Sequence, residues 1–422
     1  MTTTINRDIA MSYLLEDDPE VATIISREGT RIENTIDLVA AENHCPRSLM
    51  EALGSVFNMK AAEGYPGNRF HAGCIHADEL EALAISRAKK LFGAEHVNVQ
   101  PHSGVSANLA VYFSVLEPGD RVLAMKLSHG GHLSHGDAAS ITGKCFQFQH
   151  YGLNPRTEQI DYNQIEKLAS KFKPKMIVAG ASSYSRLIDY EKMAEIAKSV
   201  SAYLMVDMAH IAGLVAAGVI PSPVPVSDFV TFTTYKTMRG PRGGVILCRK
   251  EHGNPIDRAV FPGSQGTPAL NMIAAKAACF ELALQPDFFP LQKNTLKNAA
   301  RFAREFEDKG YRIVSGGTQN HLIVLDLRPK GLTGNVSEAA LESVGVIVNR
   351  NVIPNDPENP KVTSGIRLGS PAITARGMRI AEVIQIAELM DMVMVNMDRK
   401  EILDQVSDSV SQLCKAFPVY AK

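Results

Sequence analysis

The sequence predicts an α/β fold, with a large, mostly parallel sheet domain and a smaller C-terminal α/β domain. Short β-rich runs alternate with helical patterns up to Pro268, and a long helical region followed by a second β-rich stretch comes after it. Such alternation is typical of parallel strands covered by helices. A chain of 422 residues also has room for one large domain and a smaller one.

The elements of the larger domain follow from helical spacing and from turn residues. Asp78 is predicted to cap a helix whose apolar residues recur at helical spacing and which ends at Gly93. The β-rich runs, each flanked by Gly, Pro, Asp or Ser, lie at residues 121–125, 176–179, 202–206, 229–233 and 244–248.

The second part of the chain has two predicted helices, at residues 271–284 and 291–309. Four β-rich runs follow, at residues 312–314, 322–327, 347–348 and 365–368. We therefore expect an N-terminal arm over residues 1–30, a large domain over residues 31–289 and a small domain over residues 290–422.

Composition argues against several classes of function. Lysine and arginine number 44 against 45 aspartate and glutamate residues, so the net charge of −1 argues against nucleic acid as a partner. No apolar run approaches the roughly 18 residues of a membrane helix, and the first residues lack the apolar region of a secretory signal. The six cysteines form no CxxC pair, which is typical of reduced thiols. We expect a soluble, cytoplasmic protein.

Lys236 and Asp207 follow two of the predicted strands. A lone lysine is most often an exposed surface residue. Asp207, however, ends the strand one element upstream, and open α/β sheets place ligands at the carboxyl ends of their strands. In pyridoxal phosphate chemistry such a lysine binds the cofactor covalently, and such an acid holds the pyridine nitrogen protonated. The pair therefore predicts a pyridoxal phosphate site.

Two further positions could bind anions. Ser103 and Gly104 lie between an apolar strand and an apolar helix, where backbone N–H groups at a helix N-terminus can bind phosphate. A tight turn is the other interpretation of this pair. Arg367 lies in a β-rich run, where its guanidinium needs an anionic partner. That partner is either a substrate carboxylate or an acid of the other domain.

Three histidines, His129, His132 and His135, have a spacing that could suggest a metal site. The glycines between them argue against a regular helix, and no nearby acid or cysteine completes a ligand set. A histidine stacked on a planar cofactor is the better interpretation.

Five stretches of the chain together resemble the serine hydroxymethyltransferase family. They are residues 62–67, 94–104, 204–214, 236–244 and 362–371, and the resemblance runs through nearly the whole chain. It implies a fold-type-I pyridoxal phosphate enzyme that is a homodimer or tetramer with active sites shared between subunits. It also implies transfer of a hydroxymethyl group between a β-hydroxy amino acid and tetrahydrofolate.

The resemblance implies roles for individual residues. Lys236 would bind the cofactor covalently, Asp207 would pair with the pyridine nitrogen, and His132 would stack on the ring. Glu63 resembles the family's acid–base carboxylate, and Arg367 its carboxylate anchor. Further contacts are implied to the cofactor for Ser103, Gly104, Ser182, His210 and Gly266, to the substrate for Tyr65, His71, Ala61 and Tyr235, and to folate for Glu63, Phe70, Leu127, Gly131, Leu133, Phe261 and Asn351.

Four departures from the family's pattern lie in the substrate pocket or its wall. Ala61 stands where the family has a tyrosine, and Ala41 where it has a serine that helps to hold the substrate carboxylate. Residues 70–72, Phe-His-Ala, replace Tyr-Tyr-Gly, and Tyr235 replaces the histidine before the lysine.

The missing phenol at Ala61 allows two interpretations, because close-packed proteins seldom leave such a volume empty. Either Phe70, His71 and Tyr235 have filled the space and L-serine remains the substrate, or the space accepts a methyl group on the α-carbon. We favour the second, with α-methyl-L-serine as substrate and D-alanine as product. A folate-independent aldolase stays open because Phe70 lacks a hydroxyl. A binding module without catalysis is disfavoured, since Lys236 and Asp207 are both present.

Overall fold

The structure, a computed structural model, describes residues 12–420 of the chain. Its helices are α1 (Ser12–Asp17), α2 (Pro19–Asn34), α3 (Arg47–Leu53), α4 (Ile75–Phe92), α5 (Gly104–Val115), α6 (Ile141–Cys145), α7 (Tyr162–Phe172), α8 (Tyr190–Ser199), α9 (Ala212–Ala216), α10 (Gly253–Val260), α11 (Leu270–Leu284), α12 (Phe288–Asp308), α13 (Gly334–Ser343), α14 (Pro371–Ala375), α15 (Ile380–Val395) and α16 (Lys400–Ala416). Its strands are β1 (Ile36–Asp37), β2 (Gly64–Tyr65), β3 (Asn68–Arg69), β4 (His96–Asn98), β5 (Arg121–Met125), β6 (Gln147–Tyr151), β7 (Met176–Ala179), β8 (Tyr203–Asp207), β9 (Phe229–Thr233), β10 (Gly244–Cys248), β11 (Arg312–Ile313), β12 (Leu322–Asp326), β13 (Val346–Ile347), β14 (Asn349–Asn351) and β15 (Gly365–Gly369).

A seven-stranded sheet in the order β4-β10-β9-β8-β7-β5-β6 forms the centre of the larger part. Strands β6, β5, β7, β8 and β9 pair in parallel, whereas β10 runs antiparallel to both β9 and β4. Strands β7, β9 and β10 are buried along their whole length, because helices cover both faces of the sheet. The predicted fold class is confirmed.

The predicted strands of this sheet agree closely with the observed ones. Four have the expected bounds, and the fifth, β8, lies one residue later, so that Asp207 is its last residue. Strand β4 is the strand expected before Ser103, although its bounds were not predicted. Strand β6 was missed because it mixes polar residues with few apolar ones and lacks a clear hydrophobic run.

Helix α4 ends at Gly93 as predicted, with a left-handed φ of +66° at that glycine. Its predicted start was wrong, since the helix begins at Ile75 after Cys74. Asp78 lies in the first turn, and its carboxylate accepts hydrogen bonds from the backbone N–H of Gly67 and from Arg69 Nε, both at 2.8 Å. The acid therefore holds the β2–β3 hairpin instead of capping the helix.

The smaller part has its own hydrophobic core around the antiparallel sheet β11-β12-β15-β14. Ile36 and Leu38 belong to this core, and β1 pairs with β13 in parallel, although the sequence assigned residues 31–289 to the large domain. Helix α12 starts at Phe288, three residues before the predicted start at residue 291. Pro290 does not prevent this, because proline is tolerated in the first turn of a helix. A domain boundary near residue 290 remains a prediction. Ile36 and Leu38, which lie far before that boundary, pack in the core of the smaller part.

The predicted N-terminal arm lies partly outside the described residues, and from Ser12 onward it forms α1 and most of α2. Between residues 12 and 420, no helix combines the length and the apolar character that crossing a bilayer requires.

Candidate active site

A cleft at the carboxyl ends of β8 and β9, beside the N-terminus of α5, collects many of the predicted site residues. Its lining includes residues from loops that are far apart in the sequence. The predicted residues among them are Ser103, Gly104, His132, Ser182, Asp207, His210, Tyr235 and Lys236. The strand-end position expected for a ligand site in an open α/β sheet is therefore where these side chains meet.

Asp207, at the end of β8, is surrounded by hydrogen-bond donors. Its Oδ2 accepts from Asn108 Nδ2 at 2.9 Å and from His135 Nε2 at 3.2 Å, and its Oδ1 accepts from the backbone N–H of Ala209 at 3.0 Å. Burial by itself would raise the pKa of Asp207, but the hydrogen bond and charge of His135, with further help from His132 and Asn108, hold that pKa well below its usual value. The site therefore contains a largely buried anion, with 11% of the Asp207 side chain exposed.

Asn108 and His135 were missed as site residues. Asn108 is fixed by its Oδ1, which accepts from Thr231 Oγ1 at 2.6 Å, and its amide also donates to Ser134 Oγ at 2.9 Å. A polar residue on the buried side of the apolar helix α5 was the available signal for Asn108. His135 was considered only as a metal ligand, and pairs instead with Asp207.

The three closely spaced histidines have different partners. His129 Nδ1 accepts from the backbone N–H of Leu153 at 2.9 Å, far from the contacts of the other two. His132 Nδ1 lies 2.7 Å from Ser134 Oγ and accepts from the Ser134 backbone N–H at 3.2 Å. Burial lowers the pKa of His132, so its neutral ring carries the proton on Nε2. The ring lines the cleft as a flat, uncharged surface.

Lys236 is buried, with 7% of its surface exposed, so the interpretation as a surface lysine was wrong. Burial lowers the pKa of Lys236 to about 8; the charge of Asp207 opposes this shift, and the charges of Arg367 and Arg242 add to it. The Tyr235 ring centre lies 5.5 Å from Lys236 Nζ and 4.4 Å from Arg242 Cζ. A lowered pKa increases the fraction of lysine in the neutral amine form, which covalent attachment of a carbonyl compound needs.

Ser103 and Gly104 lie at the start of helix α5, so the interpretation of this pair as a tight turn is wrong. Ser103 is the N-cap, and its Oγ accepts from the Ser106 backbone N–H at 3.1 Å. A side chain at Gly104 would bring its Cβ within 2.7 Å of Thr233 Cγ2, so glycine permits the close approach to β9. The cleft therefore contains the positive end of a helix dipole, where phosphate binds well.

Arg367, on β15 of the smaller sheet, reaches the larger part of the molecule. Its Nη1 donates to the backbone carbonyl of Ser182 at 2.6 Å, and its Nε donates to Asn349 Oδ1 at 3.1 Å. Burial lowers the pKa of Arg367 to about 10. Since no carboxylate within residues 12–420 forms an ion pair with it, the interpretation as a salt bridge between domains is not supported. A buried guanidinium with neutral partners suits a substrate carboxylate.

His210 faces a second buried histidine that the sequence reasoning missed. His210 Nδ1 lies 3.4 Å from His321 Nε2, and the two rings stack with their centres 5.5 Å apart. Burial lowers the pKa of His210 well below its usual value and that of His321 to about 3. Both rings are therefore neutral at physiological pH.

A second group of predicted residues lies outside this cleft. Thr267 Oγ1 donates to Glu63 Oε1, and His71 Nδ1 lies 2.7 Å from Glu63 Oε2. Phe70 is 77% exposed, and its ring centre lies 5.6 Å from that of Phe261. The remaining members of this group are Ala61 and Gly266, both exposed, and Tyr65, whose hydroxyl donates to the Asp257 carbonyl at 2.6 Å.

The other predicted folate residues are spread over two segments. Leu127 and Leu133 are 44% and 55% exposed in the stretch after β5, and Gly131 lies between them. Asn351 ends β14 on the smaller sheet, with its Nδ2 donating to the carbonyl of Val352 at 2.7 Å. Leu127 and Leu133 present apolar side chains to solvent, whereas Gly131 is buried and Asn351 is half-buried.

The cleft fits pyridoxal phosphate by the chemistry of its side chains. Asp207 can accept from a pyridinium N–H, Lys236 can supply the amine, and the start of α5 can bind the phosphate. The serine hydroxymethyltransferase family model matches residues 14–390, which is most of the chain. Members of that family are pyridoxal phosphate-dependent transferases with tetrahydrofolate as co-substrate, and this chain belongs to the serine hydroxymethyltransferase family.

Proposed function

We propose that this enzyme transfers the hydroxymethyl group of α-methyl-L-serine to tetrahydrofolate and releases D-alanine, with L-serine and glycine as a second substrate pair. The observation that carries the proposal is the missing aromatic ring at Ala61, which is an exposed position. The missing phenol would fill a volume of about seven heavy atoms, more than one extra methyl group requires. Because Ala61 is exposed, this space lies on the surface that we propose faces a partner's cleft.

The contacts of the neighbouring aromatic residues support this proposal. If repacking had filled the space, Phe70, His71 and Tyr235 would be expected to turn toward it. Phe70 instead packs on Phe261, His71 lies against Glu63, and the Tyr235 ring lies near the cationic groups of Lys236 and Arg242. Each of these side chains already has a partner elsewhere.

We assign the residues as follows. Arg367 binds the substrate carboxylate through paired N–H donors, and so disfavours loss of that group. When bound, pyridoxal phosphate supplies the electron sink for cleavage of the Cα–Cβ bond. Asp207 would hold the pyridine nitrogen through its carboxylate, His132 would lie beside the ring, and Glu63 would move a proton at the hydroxymethyl group.

The stereochemistry of the product follows from the substrate. A substrate without an α-hydrogen can lose only its hydroxymethyl group or its carboxylate at the α-carbon. If the proton returns to the face that the hydroxymethyl group left, the methyl group keeps the position that hydrogen has in L-serine. The product is then D-alanine.

We also propose that the active site is completed between two copies of the chain. Glu63, Phe70 and Gly266 are not part of the lining of the Lys236 cleft, and Phe70 is largely exposed. A homodimer or tetramer in which these residues face the partner's cleft would use them. The cytoplasmic location remains a prediction.

One experiment tests the substrate. The purified enzyme is incubated with L-serine, α-methyl-L-serine, L-threonine and D-alanine, with and without tetrahydrofolate, and the products are separated on a chiral column. We expect folate-dependent conversion of α-methyl-L-serine to D-alanine. Turnover of L-serine but not of α-methyl-L-serine or D-alanine would contradict the proposal. Equal turnover without folate would favour the aldolase, for which the missing hydroxyl at Phe70 is the motivating observation.

A further inference from the structure

Lys276 is a buried lysine that no part of the proposed mechanism uses. It lies on α11, with 1% of its surface exposed. Its Nζ donates to three backbone carbonyls, those of Val99 at 2.7 Å, Pro101 at 3.0 Å and Gly244 at 2.9 Å. Three acceptors match the three N–H groups of an ammonium, whereas a neutral amine has two N–H groups and would turn its lone pair toward the third carbonyl oxygen. The geometry therefore favours the charged form.

The chain makes room for this ammonium at Gly243. A Cβ at that glycine would lie 2.3 Å from Lys276 Cε and 2.9 Å from its Nζ. The φ of +150° at Gly243 is also in the region that favours glycine. Burial lowers the pKa of Lys276 to about 7, and the charge of Glu81 opposes this shift. The protein thus accommodates a costly buried cation at a specially shaped position.

The three carbonyls belong to the support of the proposed phosphate site. Val99 and Pro101 lie in the segment between β4 and α5 that leads to Ser103, and Gly244 is the first residue of β10. The backbone N–H of Gly244 donates to the Pro101 carbonyl at 2.9 Å, so the same carbonyl also joins the two segments directly. Burial lowers the pKa of His102, and the charge of Lys276 contributes to that shift. The electrostatic field of Lys276 therefore acts on His102, the residue before Ser103.

We propose that Lys276 is the positioning residue of the phosphate site: its ammonium group ties residues 99–101 to the start of β10 and lies behind the N-terminus of α5. The inference rests on the proposed binding of the cofactor phosphate at Ser103 and Gly104. The lysine acts through the backbone and through its field, without touching the cofactor. Its loss should weaken recognition of the phosphate more than recognition of the pyridine ring.

The test compares two ligands of the cofactor-free protein. Dissociation constants for pyridoxal 5′-phosphate and for pyridoxal are measured by absorbance titration, and their ratio is the phosphate discrimination. We expect Lys276→Met to reduce this ratio about ten-fold, which corresponds to about 1.4 kcal/mol of binding free energy. Inorganic phosphate should raise the unfolding temperature of the wild-type protein more than that of the variant.

Two further variants separate positioning from general damage. Ile273→Ala removes a buried side chain from the same helix and should lower the unfolding temperature without changing the phosphate discrimination. If Lys276→Met does not fold, Lys276→Gln keeps N–H donors without the charge and carries the same expectation. Unchanged discrimination in a folded Lys276 variant would overturn the role of Lys276. A wild-type protein that does not discriminate at all would instead overturn the phosphate site at Ser103 and Gly104.

Discussion

The Lys236 cleft and the Glu63 segment differ in how far one chain completes them. In the cleft, Lys236 is buried and the Asp207 side chain is only 11% exposed. The charge of Asp207 raises the pKa of Lys236, and the charge of Lys236 lowers the pKa of His132 and of His210. Glu63 lies beside the exposed Phe70, and its pKa is lowered chiefly by the hydrogen bond from Thr267, with a contribution from His71. Burial is what separates the two regions, because desolvation strengthens electrostatic effects. The first region is preorganised within the chain, and the second is the one that we propose a partner chain covers.

The largest expected effect comes from an experiment that combines one variant of the Lys236 cleft with one variant of the Glu63 segment. Lys236→Ala and Glu63→Gln should each abolish folate-dependent transfer when made alone, since one removes the amine and the other the exchangeable proton. If the sites are shared, a mixed dimer of the two variants contains one site with both wild-type residues. Random association of two chains then restores about a quarter of wild-type activity.

Mixed preparations are compared with each variant alone and with mixtures of each variant and an inactive double variant. Borohydride reduction and peptide mapping should place the cofactor label on Lys236 of the Glu63→Gln chains. A mixture as inactive as its components would show that Glu63 and Lys236 serve the same chain's site or that Glu63 has another role.

Asp207→Asn tests the buried region by itself. The amide keeps the shape of the side chain but cannot hold the charge of a pyridinium, so turnover should fall roughly 10²- to 10³-fold. Cofactor binding, measured by absorbance, should persist because Lys236 is untouched. Activity within a few-fold of wild type would contradict the role of Asp207.

Ala61→Tyr tests the exposed region through the choice of substrate. A ring restored at this position should clash with the α-methyl group, and overpacking costs about 1–3 kcal/mol, or roughly five- to two-hundred-fold. L-serine should be affected much less. The measurement is the ratio of kcat/KM for α-methyl-L-serine to that for L-serine, because the ratio cancels general damage to the fold. An unchanged ratio would favour the other interpretation, in which neighbouring side chains fill the space at Ala61 and L-serine is the substrate.

The smallest effect is a pH dependence in the buried region. Burial lowers the pKa of Lys236 to about 8. The fraction of Lys236 in the reactive neutral form therefore increases as the pH rises, and this form dominates above that pH. The rate of cofactor attachment to the cofactor-free protein should therefore rise with pH and level off above about pH 8. Arg242→Gln removes a charge that lowers this pKa, and should move the midpoint upward. A midpoint near the ordinary lysine value in the wild-type protein would contradict the burial of Lys236.

Local patterns in the sequence determined most strands of the large sheet and the positions of Asp207 and Lys236. Runs such as β5, β7, β9 and β10 are short, apolar and bounded by turn residues, and their bounds were predicted correctly. Asp207 and Lys236 could be predicted because the ends of parallel strands meet at one edge of a sheet. The family resemblance added the remaining roles, and Ala61 as the position that departs from them.

Tertiary contacts decided what no local pattern contains. Asn108 and His135 bind Asp207 from 99 and 72 residues away, and Lys276 reaches the Val99 carbonyl across 177 residues. Ile36 and Leu38 look like part of the large domain in sequence, yet pack in the core of the smaller one. Hydrogen bonds and burial depend on distance in space, and the lowered pKa of Lys236 exists because distant segments exclude water from it.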